Sequence, residues 1–244
     1  MLMPGRGLAT ADPAAGTTPP PLAYSERVSA IPKAAKSAAS ANLEFADAFV
    51  APSAAAQAAR ARAAEHGQRP VSPNTAATLT FLAATLRARN VVEVGTGTGV
   101  SAVALLEGMA PDGVLTSIDN EAELQLAARQ VLTEAGVARA RARLIAGDAL
   151  GVLPKLTDGA YDLVVVDGDP LEYVEYVAQA VRLLRSGGVL ALHHALWDGK
   201  VADPANEEDE PLIIREALDA VRALEGFTHV LLPVGDGLLV AVKG

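Results

Sequence analysis

Residues 91–101 read VVEVGTGTGVS, an apolar and β-branched run that gives way to glycine at every second position, Gly95, Gly97 and Gly99, before an apolar helical period begins. Strand, bare-backbone turn and helix in that order open an α/β unit, because missing side chains let the chain turn sharply and approach a ligand closely. The spacing is G-x-G-x-G, where the dinucleotide fingerprint asks for G-x-G-x-x-G.

Downstream, short Val/Leu/Ile runs alternate with helical periods: VLTSI at 114–118, ARLIA at 142–146, YDLVVV at 161–166 and GVLALH at 188–193. Such runs predict strands of a parallel, doubly wound sheet covered on both faces. The helices between them carry apolar stripes, one of Leu124, Ala127, Ala128, Val131 and Leu132, another of Ile214, Ala217, Leu218, Val221 and Leu224. HVLLPV and LLVAV are separated only by Gly235, Asp236 and Gly237, too short for a parallel crossover, so the last two strands pair antiparallel. Upstream lie an Ala-rich helix at 54–66 and a second helix opened by Ser72 as N-cap with Pro73 at its first position. Residues 1–40 are Ala, Pro, Ser, Thr and Gly with few large apolar side chains, which predicts a disordered tail ahead of one domain over 41–244.

Glu93 precedes the first glycine by two residues. A carboxylate at the mouth of the loop repels a pyrophosphate and attracts the amino and sulfonium end of S-adenosylmethionine. Asp119, at the end of the next strand, can accept both hydroxyls of a ribose. Asp148, in GDA after the third strand, can accept from an adenine amino group or cap the following helix. Together with Thr96, Ser101, Asn120 and Ala149, these residues and the glycines make up the expected cofactor site.

The chain has 20 Lys and Arg against 29 Asp and Glu, a net charge of -9, which argues against nucleic acid or an anionic bilayer as partner. It has no cysteine, so disulfides, thiolate metal sites and a Cys nucleophile are excluded. Neither an export signal nor a membrane anchor is read, and the cytoplasm is the expected compartment.

From about Phe49 to Val242 the chain resembles the cation-dependent O-methyltransferase family that includes catechol and caffeoyl-CoA methyltransferases, especially its small actinobacterial-type members. The resemblance is carried by VVEVGTGTGVS, SIDNE, VVVDGDP, ALHHALWDGKVADP and LLPVGDGLLVAV. It implies a Rossmann-like class I methyltransferase with a seven-stranded sheet, a small-molecule hydroxyl acceptor and a homodimer built on the N-terminal helices. It also implies that Asp167 lies at the cofactor and is the position that ligates a divalent cation. The family's Asp-Asn pair after strand five reads His193-His194 here, and its frequent lysine reads Pro170. Mg²⁺ wants hard oxygen ligands, so this replacement predicts little Mg²⁺ affinity; a borderline cation could still accept Asp167, His193 and His194.

Adjacent strand residues point to opposite faces, which argues against both rings meeting one ion unless the strand end bends. The expectation is that one histidine is a general base, oriented by Asp167 or Asp169, with Trp197 as a flat wall for an aromatic acceptor and Asp169 beside it on the substrate side. His66 and His229 are given no role, and Asp198, Asp203 and the acidic run at 206–210 are expected to be solvated or to serve the last helix's dipole. Two other classes stay open: an S-adenosylmethionine-binding relative without turnover, and an NAD-dependent oxidoreductase.

Overall fold

A computed structural model describes residues 33–244, with side chains from Ser40 onward. Five parallel strands form first: β1 (Asn90–Val94), β2 (Val114–Asp119), β3 (Ala142–Ala146), β4 (Tyr161–Val166) and β5 (Leu184–Leu192). The hairpin β6 (Phe227–Leu232) and β7 (Leu238–Lys243) completes a seven-stranded sheet of order β3-β2-β1-β4-β5-β7-β6. β7 lies antiparallel between β5 and β6, as the short connection requires.

The period of two along each strand divides the core. Val91, Leu115, Leu163, Val165, Val189 and Ala191 pack on one side, against α2 (Ala54–Glu65), α3 (Pro73–Thr85), α4 (Val100–Gly108) and α5 (Ala122–Glu134). Val92, Val94, Val164, Val166, Leu190 and Leu192 face α6 (Ala149–Val152), α7 (Tyr173–Leu183) and α8 (Asp209–Arg222) on the other. All five members of the Leu124–Leu132 stripe are buried; in the second stripe Ile214, Ala217 and Val221 are buried, with Leu218 and Leu224 packed against them.

The first described helix, α1 (Lys33–Phe49), begins inside the segment expected to be a tail, so residues 33–40 are helical; residues 1–32 lie outside the described residues. Alanine and lysine are strong helix formers, and α1 is tied down near its end. Asp47 accepts hydrogen bonds from Ser72 Oγ (2.8 Å) and Asn74 N (2.9 Å), and so helps to cap α3. Ser72 itself caps α3 by accepting from Thr75 N, as its sequence position predicts.

Candidate active site

At the carboxyl end of the parallel strands a cleft of about 440 Å³ opens. In open α/β sheets this edge collects ligands. The loop after β1 lies against β4: Gly95 has φ +91°, and a Cβ there would stand 2.0 Å from the Asp167 carbonyl oxygen, so only glycine fits. Gly97 has φ +50° and a Cβ on it would meet nothing within 4 Å, leaving bare backbone beside open space.

Of the expected cofactor contacts, Gly95, Thr96, Gly97, Ser101, Asp119, Asn120, Asp148, Ala149 and Asp167 line the cleft. Gly99 and Glu93 do not: Gly99 is the left-handed N-cap of α4, and Glu93 lies beneath the loop. Alternation along β1 puts Glu93 on the face of Val91, inside the helix layer, and it is fully buried. Ser117 Oγ donates to it at 2.5 Å, within a chain of polar contacts that continues through Thr96 to Gln125. Burial raises the Glu93 pKa to about 7 against the pull of the Ser101 and Ser117 hydroxyls, and the expected attractor sits beneath the loop rather than at the cleft surface. The negative charge at the cleft comes instead from Asp119, Glu121, Asp148, Asp167, Asp169 and Glu172, set against Arg69.

Asp119 accepts from Gly97 N and from Glu121 N, both at 2.8 Å, which fixes the loop and leaves each oxygen a further lone pair. Asp148 lines the cleft and also caps α6 through Leu150 N (3.1 Å). Asp169 accepts from Leu171 N (3.0 Å) and caps a short 3₁₀ turn rather than orienting a histidine.

The strand end does bend. β5 stops at Leu192, one residue short of the expected run, and His194 takes φ +53°. That left-handed residue cancels the alternation that would send the two rings apart, and their centroids lie 4.1 Å from each other. His193 is buried, with Nδ1 2.8 Å from Asp167 Oδ1 and Nε2 without a partner; it does not line the cleft. His194 does. Its Nδ1 lies 2.7 Å from Asp236 Oδ2 and its Nε2 3.6 Å from Asp167 Oδ1. Burial opposes protonation of His194, but the hydrogen bond with Asp236 and the charges of Asp167, Asp236 and Asp198 outweigh it and raise its pKa above the ordinary imidazole value. Trp197 lines the cleft edge-on to His194, centroids 5.5 Å apart, while also packing against the core below.

Asp167, His193 and His194 bring ligand-type atoms within 4.8 Å of one another. One carboxylate and two imidazoles are donors that suit a borderline cation better than Mg²⁺, which prefers oxygen. His193 Nε2 is buried and has no partner among the described residues, while its Nδ1 faces Asp167. Its pattern fits an Nδ1–H donated to Asp167.

Asp236 is a site residue that the sequence does not reveal, since it reads there only as part of a turn. It sits 42 residues from His194, and no local signal marks it. Arg69, on the loop before α3, also lines the cleft and reaches Asp198 at 3.7 Å. His66 and His229 lie away from the cleft, and Asp209 and Glu210 occupy the first turn of α8.

The chain matches the O-methyltransferase family model over residues 55–244. The probable O-methyltransferase of Mycobacterium tuberculosis is 47% identical over 185 residues, 76% of this chain and 83% of that protein. A Corynebacterium glutamicum protein of known crystal structure is 32% identical, with a TM-score of 0.79 over 84% of this chain and 97% of its own. TomG of Streptomyces achromogenes, an O-methyltransferase of tomaymycin synthesis solved in complex with SAM, is 28% identical, with a TM-score of 0.76 over 84% and 96%. With the glycine loop, the acidic cleft and the inserted C-terminal hairpin all in place over the matched span, this chain belongs to the O-methyltransferase family.

Proposed function

We propose that the protein moves the methyl group of S-adenosylmethionine to a hydroxyl of a small aromatic acceptor, with His194 as general base and without Mg²⁺. One ring carries the reading: His194 holds Nδ1 against Asp236 and leaves Nε2 at the cleft beside Asp167. The donor is supported by the bare backbone at Gly97, by the lining carboxylates and by the SAM complex of TomG.

When bound, S-adenosylmethionine supplies a methyl carbon made electrophilic by its sulfonium. Asp119 is placed to accept from ribose hydroxyls and Asp148 from the adenine amino group. Asp167 and its acidic neighbours favour the cationic end. With the donor bound, the acceptor hydroxyl would give its proton to His194 Nε2 as its oxygen displaces the sulfur from the methyl carbon in line, the neutral thioether leaving as S-adenosylhomocysteine; holding the two reactants together would provide most of the acceleration. A cation in the cleft also counters the carboxylates around His194 and favours the neutral ring that can take a proton. Trp197 offers a flat apolar wall to an aromatic acceptor.

Methyl transfer to a panel of phenols and catechols, run with and without EDTA, tests this. Chelation is expected to leave the rate unchanged, and His194→Ala to lower kcat on the order of a hundredfold or more. A rate that needs added metal, or an unimpaired His194→Ala enzyme, overturns the reading. Tight donor binding with no acceptor methylated favours a relative without turnover.

A further inference from the structure

We infer that Asp236, at the tip of the β6–β7 hairpin, is the positioning residue that fixes the tautomer and the aim of the His194 ring. The inference rests on the reading of His194 as base. Because β7 runs antiparallel to β5, with Leu192 opposite Leu239, the residues just before β7 pass beside the residues just after β5. The hairpin and the loop are joined there by backbone bonds, from Ala195 N to Gly237 O (3.2 Å) and from Leu196 N to Asp236 O (3.0 Å). Gly237 is needed for this approach, since a Cβ on it would stand 2.5 Å from the Leu196 side chain.

The Asp236 carboxylate then makes two contacts with different jobs. Oδ1 accepts from Asp198 N at 2.6 Å, and Oδ2 faces His194 Nδ1 at 2.7 Å. His194, Trp197 and Asp198 all have positive φ, between 46° and 53°, a conformation that costs a non-glycine residue on the order of 1–3 kcal/mol. The carboxylate and the two backbone bonds hold that loop in place. An ionised carboxylate only accepts, so the proton of the neutral ring belongs on Nδ1 and the lone pair on Nε2, at the cleft. Asp167, 3.6 Å from Nε2, does not satisfy that nitrogen with a hydrogen bond of normal length, which leaves it open to an acceptor hydroxyl.

Asp236→Asn separates the two contacts. Its amide oxygen can still accept from Asp198 N, whereas its NH₂ presents a donor to Nδ1 and drives the ring to the opposite tautomer. In a serine-protease triad the same change of aspartate to asparagine leaves the geometry intact and inverts the imidazole. Imidazole ¹⁵N shifts of His194, recorded on the full chain at a pH where the ring is neutral, should show Nδ1–H in the native protein and Nε2–H in Asp236→Asn. This measurement needs no acceptor, and the native spectrum alone is informative should the variant fail to fold. With a phenol from the panel, kcat should fall on the order of a hundredfold or more while KM for S-adenosylmethionine stays unchanged. A native ring protonated at Nε2, or a tautomer indifferent to the substitution, overturns the role of Asp236. An inverted tautomer with an unchanged kcat leaves Asp236 as the residue that sets the ring and removes His194 as base, so the two readings fail separately.

Discussion

The Glu93 carboxyl is fully buried, bonded on one side by Ser117 and without a partner on Oε1. Its pKa of about 7 lies above the ordinary 4.5 because desolvation of the charged form, helped by the charges of Asp167 and Asp119, exceeds what the Ser101 and Ser117 hydroxyls return. Between those two values the unfolded chain has released this proton and the folded chain has kept it. Fewer protons are therefore bound on unfolding, and this residue's contribution to stability falls as pH rises from about 4.5 to about 7. Glu93→Gln has no such proton to lose. At about 1.4 kcal/mol per pH unit, urea unfolding should show the stability of Glu93→Gln gaining on the native protein by on the order of 3 kcal/mol between pH 5 and pH 8. Parallel curves would show that the carboxyl is already ionised in the folded protein. The sequence places Glu93 correctly in a strand two residues before the turn. What it does not display is the face, and the period of two assigns that side chain to the helix layer rather than to the ligand. Asp236 is hidden for a different reason: a Gly-Asp-Gly turn is an ordinary hairpin tip, and its neighbour across space comes only from the insertion of β7 beside β5.

Among the elements, the loop joining β1 to α4 is the one whose sequence states its own geometry, because its glycines carry two distinct demands. Gly95 answers a steric one, against the Asp167 carbonyl, and Gly97 answers a demand for open backbone at the cleft. Alanine should separate them. Gly97→Ala should fold with a stability loss of about 1–2 kcal/mol, from the left-handed backbone alone, while weakening S-adenosylmethionine in calorimetry. Gly95→Ala adds a collision with backbone that cannot move without shifting β4, so its loss in urea unfolding should exceed that of Gly97→Ala; equal losses would mean the loop is free to lift off β4. The central strands are legible because both faces are buried and their runs are apolar or β-branched. The end of β5 is not. Apolar character carries through Leu192, and nothing in ALHHALW announces that His194 leaves the strand conformation, since that turn is imposed by contacts with the hairpin rather than by local propensity. Composition also conceals the start of α1: an Ala-rich stretch poor in large apolar residues is equally suited to a tail and to a helix, and the decision lies with long-range anchors such as Asp47.

At the scale of the whole molecule, the sheet gathers one sign of charge at one edge. The loops after β1, β2, β3 and β4 each bring acidic or bare-backbone positions to the cleft, so that six carboxylates line it beside a single arginine, on a chain of net charge -9. A field of that sign, focused in a partly enclosed cleft, attracts a cation and resists a diphosphate whichever individual carboxylate is removed. Two consequences can be measured on the native protein. The melting temperature should rise with S-adenosylmethionine or S-adenosylhomocysteine and stay still with NADH, which carries two phosphates into the same space. Salt should distinguish the two nucleosides, because only the sulfonium gains from the field: raising NaCl from about 0.05 M to about 0.5 M shortens the screening length from roughly 14 Å to roughly 4 Å, so S-adenosylmethionine should lose affinity several-fold and its neutral-sulfur product distinctly less. Equal losses for both would place the sulfur outside the reach of the carboxylates, and a thermal shift with NADH alone would mean that the glycine loop, rather than the charge around it, decides what the cleft admits.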